Sequence, residues 1–348
     1  MKGISLFSGA GGDTLGMTMA GINVHRYCEL IPQFCMTHKA NFPKSKLISH
    51  DITKISDEKF DTYKGRCNII FGGFVCKSFS SAGKKDPNDP RSQLYLHLIR
   101  ATKSIEPNYV IGENVKGLLT QKAPDGELFI DKIRLAFEEI GYTITYKILN
   151  AKNYGVPQAR ERLIILGVRG DRILTFPPPI EEVPNLINIV TFDMTGAIKI
   201  PKEIFDFDTI PSECILRDET NDDTDDIVNI HPYLKLKAET IKASYNKRDY
   251  TSLLSFGKRI SPIHCEIIDI RNPSKTIICT YDHQPRLFVP LKNANGYYIR
   301  CLLPDELKRI QGFPENFIIS GTLKQKIIQI GNAVPPPLIQ AIVEHILK

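Results

Sequence analysis

The stretch GISLFSGAGGDTLGMTMA, residues 3–20, contains a strand pattern, a glycine-rich turn and a helix pattern. The apolar run 4–7 predicts a buried strand, and the helix is predicted over about 14–20. Glycines in such a turn let the backbone approach a ligand at the helix N-terminus. The turn is not a full GxGxxG, because Thr14 stands at the third glycine's place. A tight turn without a ligand is therefore the alternative interpretation.

Strand and helix patterns continue to alternate through the first half of the chain. This alternation predicts an α/β fold with a doubly wound, mainly parallel sheet. The further strands are predicted at 24–28, 47–49, 67–71, 109–111, 143–149 and 163–168, and the helices at 92–104 and 128–140.

The regular alternation ends near FPPP at residues 176–179 and is followed by a less regular stretch. We predict a catalytic domain over 1–178 that is completed by 325–348, a smaller irregular domain over 179–290, and a hinge with further recognition segments over 291–324. The acidic run 218–226 is interpreted as a solvated loop. Helical periodicity returns at 304–311 and 336–348.

Composition is typical of an ordinary soluble protein, with 42% apolar and 24% charged residues among 348. The N-terminus lacks the long apolar run of a signal peptide or membrane span, so we expect a cytoplasmic protein without membrane contact. The net charge of +6 permits nucleic-acid binding without requiring it. None of the eight cysteines forms a CxxC pair, so no metal site is expected.

Acidic residues follow the predicted strands that neighbour the glycine turn. Glu29 ends the second strand, where an acidic residue typically binds a ribose hydroxyl pair, and Asp51 ends the third. Together with the turn they predict a nucleoside-cofactor cleft at the carboxyl edge of the sheet.

Cys76 and Glu113 follow the fourth and fifth predicted strands and should therefore lie on the same edge. A thiol and a carboxyl at neighbouring strand ends indicate covalent catalysis with an acid partner. The alternatives are a buried, inert thiol for Cys76 and a surface ion pair or helix cap for Glu113.

These residues belong to a series of blocks that resembles the DNA (cytosine-5)-methyltransferases of the bacterial restriction-modification type, in order and over nearly the whole catalytic frame. The blocks are FSGAGG at 7–12, Glu29, Asp51, GFVCKSFS at 73–80, DPRSQLY at 89–95, ENV at 113–115, QARER at 158–162, RIQGFP at 309–314 and GNAVPP at 331–336.

The resemblance implies a mechanism on a cytosine that is flipped out of duplex DNA. Cys76 would add to C6 of the base, and Glu113 would hydrogen-bond N3 and the exocyclic amine. Arg162 would bind O2, and Arg160 would hold a phosphate or steady Glu113. The methyl donor is expected to be S-adenosylmethionine, which leaves as S-adenosylhomocysteine.

The resemblance also assigns binding residues. The smaller domain corresponds to the family's target-recognition domain. The residues expected to bind the cofactor are Phe7, Gly9, Ala10, Gly11, Gly12, Glu29, Leu30, Asp51, Ile52 and Asn332. Those expected to bind DNA are Lys77, Ser80, Arg91, Thr276, His283, Gln284 and Arg286. For 274–290, a structural strand with an exposed turn is an equal alternative. We expect double-stranded DNA as partner, a monomer, and a cognate restriction endonuclease encoded nearby without a stable complex.

The nucleophile block departs from the family, which has Pro-Cys-Gln where this chain has Val75, Cys76 and Lys77. Lys77 would either stabilise the thiolate or contact a DNA phosphate. Two other functions remain open at this point. They are methylation of tRNA cytosine and DNA binding by a catalytically weakened paralogue.

Overall fold

The part of the chain that the computed structural model describes forms a seven-stranded, a six-stranded and a two-stranded β-sheet, with helices in the connections of the first. The first sheet has seven strands, and its helices lie on both faces. The described residues are 1–74, 89–200, 202, 205–218, 254–258 and 265–348.

The helices and strands that were predicted in the first half begin and end close to their predicted positions. The strands are β1 (Lys2–Leu6), β2 (Asn23–Cys28), β3 (Lys46–Leu47), β4 (Ile69–Gly72), β5 (Tyr109–Asn114), β6 (Tyr142–Asn150), β7 (Gln158–Ala159) and β8 (Glu161–Arg169). The helices are α1 (Gly12–Met19), α2 (Pro32–Asn41), α3 (Asp57–Asp61), α4 (Tyr95–Ile105) and α5 (Phe129–Glu138), followed near the C-terminus by α6 (Pro304–Ile310), α7 (Leu323–Asn332) and α8 (Pro336–Ile346). Of the elements in the first half, α2, α3 and β7 were not predicted.

The strand order of the first sheet is β3-β2-β1-β4-β5-β8-β6. Neighbours from β3 to β5 are parallel, whereas β8 runs antiparallel to both β5 and β6. The order extends in both directions from β1, as in a doubly wound sheet. The predicted α/β fold with a mainly parallel sheet is confirmed.

Both faces of this sheet are buried, which explains the nearly continuous apolar strands. In β4, Ile70 faces a core cluster that includes α3, α4 and α5. Its neighbours Ile69 and Phe71 face the opposite cluster, which includes α1 and α8. Full burial of each such side chain contributes about 1.5–3 kcal/mol. The alternating directions along the strand thus hold one helical layer on each face.

Helix α2 was not predicted from the sequence. Its buried residues are Phe34, Cys35, Thr37 and His38, so half of the buried face is polar. A hydrophobic period of 3.6 is therefore absent, and the helix is recognisable only from its packing.

The stretch that seemed irregular contains further strands, most of them short. They are β9 (Ile198–Lys199), β10 (Leu216–Arg217), β11 (Leu254–Phe256), β12 (Cys265–Ile267), β13 (Ser274–Lys275), β14 (Leu287–Asn293) and β15 (Gly296–Cys301). The second sheet has the order β11-β12-β14-β15-β9, with β10 paired to β14, whereas β13 pairs with β7.

The predicted domain boundaries stay predictions. Asp218 of the acidic run is described, but 219–226 lie outside the described residues.

The C-terminal segment returns to the glycine turn at the start of the chain. A Cβ on Gly12 would lie 2.2 Å from the Val334 carbonyl oxygen, and one on Gly16 2.4 Å from the Pro336 carbonyl oxygen. Only glycine permits this approach of two backbones. The last sequence block therefore lies directly against the first.

A buried ion pair joins β15 to the start of α6. The side chains of Arg300 and Glu306 are 0% and 6% exposed, with 2.7 Å between Nη2 and Oε1. Arg300 also donates to the carbonyls of Thr191 and Asp193, and Glu306 accepts from the Leu303 amide. The pair thus joins the connection between β15 and α6 to residues 191–193, which lie more than 100 residues earlier in the sequence.

Replacing Glu306 by alanine should lower the free energy of unfolding by about 3–5 kcal/mol, because the buried guanidinium loses its counter-charge. Asp305→Ala is the matched control, since this neighbouring carboxylate is 88% exposed and its partner Lys308 keeps a second acceptor, the Glu315 carbonyl at 2.7 Å. The control should lose less than about 1 kcal/mol. Urea denaturation of both variants measures the difference, and equal losses would contradict the assignment.

Among the described residues, no helix combines the length and apolar character needed to cross a membrane. The same part of the chain contains no group of three or more His, Cys, Asp or Glu arranged to hold a metal ion. Five of its seven cysteines are buried, whereas Cys279 and Cys301 are half-buried.

Candidate active site

The glycine turn that follows β1 has an unusual backbone conformation. Phe7 has φ +59° although it is not glycine, and Gly9 and Gly11 have φ +55° and +87°. Left-handed conformations cost a non-glycine residue about 1–3 kcal/mol and are often found at ligand sites. A Cβ on Gly9 would meet no atom within 4 Å. Open space therefore lies beside the turn among the described residues.

Glu29, directly after β2, anchors the glycine turn. Its Oε2 accepts a hydrogen bond from the Gly9 amide at 2.7 Å, and its Oε1 accepts one from the Ile31 amide at 2.8 Å. The residue is 7% exposed, and burial raises the pKa of its carboxyl. A carboxylate can accept about four hydrogen bonds, so capacity remains for a diol.

A layer of polar side chains beneath the turn was not foreseen from the sequence. Ser5 donates to the Asp13 carboxyl, and burial raises the pKa of Asp13 to about 7. His38 Nε2 lies 3.2 Å from Thr14 Oγ1, and burial lowers the pKa of His38 to about 3, so the imidazole is neutral. The only sequence signal was the pair Asp13-Thr14 directly after two glycines.

Of the remaining residues expected at the cofactor, Leu30, Asp51 and Asn332 are accessible to solvent, whereas Ala10 and Ile52 are buried. Leu30 is 65% exposed beside Glu29, and the last residue of α7, Asn332, is also exposed. Asp51 caps a short 3-10 helix by accepting from the Thr53 hydroxyl at 2.8 Å and from the Thr53 amide at 2.9 Å, and these two bonds lower the pKa of Asp51.

Ala10 and Ile52 are 1% and 5% exposed, and their side chains pack in core clusters. A cofactor contact at these two positions would therefore fall to their backbone groups, and the expectation stays a prediction.

Glu113, near the end of β5, forms the acidic centre of the site. Arg162 Nε lies 2.8 Å from Glu113 Oε1, and both side chains are nearly buried. Burial raises the pKa of Glu113, and the charges of Arg162 and Arg160 oppose that rise. A Cβ on Gly73 would lie 3.6 Å from Glu113 Oε2, so the segment after β4 passes beside this carboxyl.

The neighbouring Asn114 holds the same segment by donating from Nδ2 to the Phe74 carbonyl at 3.1 Å. Phe74 stands two residues before the predicted nucleophile. Cys76, Lys77 and Ser80 lie in 75–88, outside the described residues. The described chain therefore leads to the nucleophile position from a point directly beside Glu113.

Arg160 does not have the phosphate-binding role that was one of its two expected roles. The residue is 2% exposed and donates to the carbonyls of Ile277, Gly331 and Ala333. A guanidinium enclosed by carbonyls cannot meet a DNA phosphate in this arrangement. Its second expected role, to steady Glu113, stays a prediction, and the charge of Arg160 opposes the rise in the pKa of that carboxyl.

The residues expected to contact DNA differ in their surroundings. His283 and Gln284 are exposed in a turn, and Arg286 is half-buried beside it. The Thr276 hydroxyl donates to the Ala159 carbonyl at 2.8 Å, so a phosphate contact by this hydroxyl proton would require breaking that bond. Arg91 is partly exposed and is paired with Asp89.

The sequence matches the family model for C-5 cytosine-specific DNA methylase over residues 1–348. It is 34% identical to the Type II methyltransferase M.FnuDI of Fusobacterium nucleatum, over 99% of this chain and 94% of that protein. It is 31% identical to the Type II methyltransferase M1.HphI of Haemophilus parahaemolyticus, over 99% and 86%. The fold is similar to that of a DNMT2 of Spodoptera frugiperda, with TM-score 0.67 and 19% identity over 100% of this chain and 99% of that one.

Proposed function

The chain belongs to the C-5 cytosine-specific DNA methylases and is a DNA cytosine-5 methyltransferase, and from this premise we propose that it methylates a flipped-out cytosine within a specific duplex sequence. The observation that carries the proposal is the buried Glu113–Arg162 pair beside the segment that leads to Cys76. Its relatives are Type II methyltransferases, which supports a role in restriction-modification.

In this proposal Cys76 activates the cytosine ring for methylation. Cytosine C5 is too weak a nucleophile to accept a methyl group unaided. The Cys76 thiolate adds to C6, and this addition turns C5 into an enamine-like carbon. Loss of the C5 proton after methylation then allows β-elimination, which frees the thiol.

Glu113 is suited to hydrogen-bond N3 and the exocyclic amine during the addition. Its raised pKa favours the protonated carboxyl, which can donate to N3. Arg162, which already contacts Glu113, would bind O2 of the same ring edge.

The residues around the glycine turn fit S-adenosylmethionine, which supplies an electrophilic methyl group when bound. Glu29 has the remaining hydrogen-bond capacity for the ribose hydroxyls, and exposed Leu30 offers apolar surface for an adenine. The open space at Gly9 leaves room for the methionine part. Because the last block lies against Gly12, Asn332 is suited to close the pocket.

Glu29→Gln should raise the Kd for S-adenosylmethionine about 10- to 100-fold, as a charged hydrogen-bond acceptor is lost. In addition, the new amide would turn a donor toward the Gly9 or Ile31 N–H. Isothermal titration calorimetry measures the change, with Glu138→Gln on the exposed side of α5 as control. An unchanged Kd in the Glu29 variant would contradict the cofactor assignment.

The choice of duplex DNA over tRNA is tested by offering both to the enzyme with methyl-labelled S-adenosylmethionine. We expect label in 5-methyldeoxycytidine after nucleoside digestion, and sequencing of the methylated DNA then identifies the target. Label found only in tRNA would instead support the RNA function. Cofactor binding without label in either substrate would indicate a weakened paralogue.

A further inference from the structure

Alternate residues of the segment from Gln158 to Arg162 reach three different parts of the protein. Gln158 Nε2 donates to Gln311 Oε1 at 2.6 Å, Arg160 donates to backbone carbonyls, and Arg162 contacts Glu113. Gln158 lies in β7, Arg162 lies in β8, and Arg160 stands between the two strands. These three side chains, which we call the 158–162 row, belong to one short segment that runs from the end of α6 to the Glu113 carboxyl.

The 158–162 row also holds the segment after β13. Gln158 Oε1 accepts from the Ile277 amide at 3.0 Å, and Arg160 donates to the Ile277 carbonyl at 3.1 Å. The Thr276 hydroxyl donates to the Ala159 carbonyl in the same region. Both polar groups of the Ile277 backbone are therefore bound by side chains of the row.

The exposed turn with the expected base readers follows almost immediately. The amides of His283 and Gln284 bind the Thr280 carbonyl, and Thr280 is three residues beyond Ile277. Any shift of Ile277 relative to the row would move this turn relative to Glu113.

Gln158 is itself held in place by a second amide. Gln158 and Gln311 are both 0% exposed, and Gln311 Nε2 donates to the Ala333 carbonyl. Gln158 thus uses its carbonyl oxygen for Ile277 and its amino group for Gln311. A buried amide with both ends bonded has one orientation, because turning it over would place donor against donor.

We propose that Gln158, oriented by Gln311, is a positioning residue that sets the distance between the turn at 280–284 and the Glu113 carboxyl. The inference rests on the proposed function, because it assumes that the turn contacts the duplex. Gln158 itself touches neither base nor cofactor and acts through Ile277 and through the row.

Gln158→Leu should lower kcat on the target duplex about 10- to 100-fold, since displacements of about 1 Å have effects of that size. The variant should also discriminate less between the target and duplexes with one substituted base pair. The Kd for S-adenosylmethionine should stay at the wild-type value. A residue that only stabilises the fold would change none of these at a temperature where the protein is folded.

Gln329→Leu is the matched control, because Gln329 is also a buried glutamine and bonds the Ser320 carbonyl within the α7 region. Hydrogen exchange of the full-length proteins gives a readout that does not depend on turnover. The Ile277 amide should exchange about 10-fold faster or more in Gln158→Leu, and at the wild-type rate in Gln329→Leu.

If the wild type is active and Gln158→Leu is equally active and equally selective, the positioning role of Gln158 is wrong, whereas the proposed function stands. An effect of the same size in Gln329→Leu would also overturn it, because the loss would then be general. A wild type that methylates no duplex would instead contradict the proposed function on which the inference depends.

Discussion

Replacing Cys76 by alanine should abolish methyl transfer, with a loss of about four orders of magnitude or more. Without a thiolate at C6, C5 stays in an aromatic ring and cannot attack the methyl donor. The variant should still bind S-adenosylmethionine and duplex DNA, because both contacts are assigned to other residues. Transfer of labelled methyl groups to the target duplex measures the loss.

A duplex with 5-fluorocytosine at the target position should trap the wild-type protein. Fluorine at C5 cannot leave as the proton does, so β-elimination is blocked and the Cys76–C6 bond persists. Denaturing electrophoresis should show the adduct for the wild type and for Cys279→Ala, which changes a half-buried thiol. An adduct in Cys76→Ala, or none in a wild type that binds the cofactor, would refute the nucleophile assignment.

Glu113→Gln should lower kcat about 100- to 10,000-fold, the range that a positioned acid contributes. Glutamine keeps the size of the side chain but cannot transfer a proton to N3. Binding of DNA and cofactor should be retained. Glu161→Gln is the matched control, because Glu161 stands next to Arg162 but is exposed and paired with Lys116.

The raised pKa of Glu113 also predicts how the rate of methyl transfer depends on pH. Burial raises the pKa of Glu113, so its protonated form persists to higher pH than in an exposed glutamate. As the pH rises through that pKa, the acid form is lost and the wild-type rate should fall. The rate of Glu113→Gln should not fall in this way as the pH rises. If the same fall persists in this variant, another group carries the proton.

Much of the fold could be predicted from the sequence, because its decisive features are local. Strands such as β4 are continuous apolar runs, since both of their faces are buried. The carboxyl ends of parallel strands lie at one edge, so Glu29, directly after β2, and Glu113, near the end of β5, were expected at that edge. The order of the sequence blocks then indicated the family, which the family match confirmed.

Helix α2 and the second sheet could not be predicted in this way. The buried face of α2 includes Thr37 and His38, whose burial depends on neighbours such as Tyr27. Several strands of the second sheet are only two or three residues long, too short to show an alternation. In both cases tertiary packing decided the structure and local propensity did not.

The sequence by itself determined which residue types stand at the sheet edge, because a strand's direction and period are properties of the local chain. Only the tertiary structure decided that Arg162 contacts Glu113 whereas Arg160, two residues earlier, is enclosed by backbone carbonyls. It also decided that Gln158 meets Gln311, 153 residues away. The physical reason is that side-chain hydrogen bonds and burial depend on which distant segments pack together, and no local period records those partners.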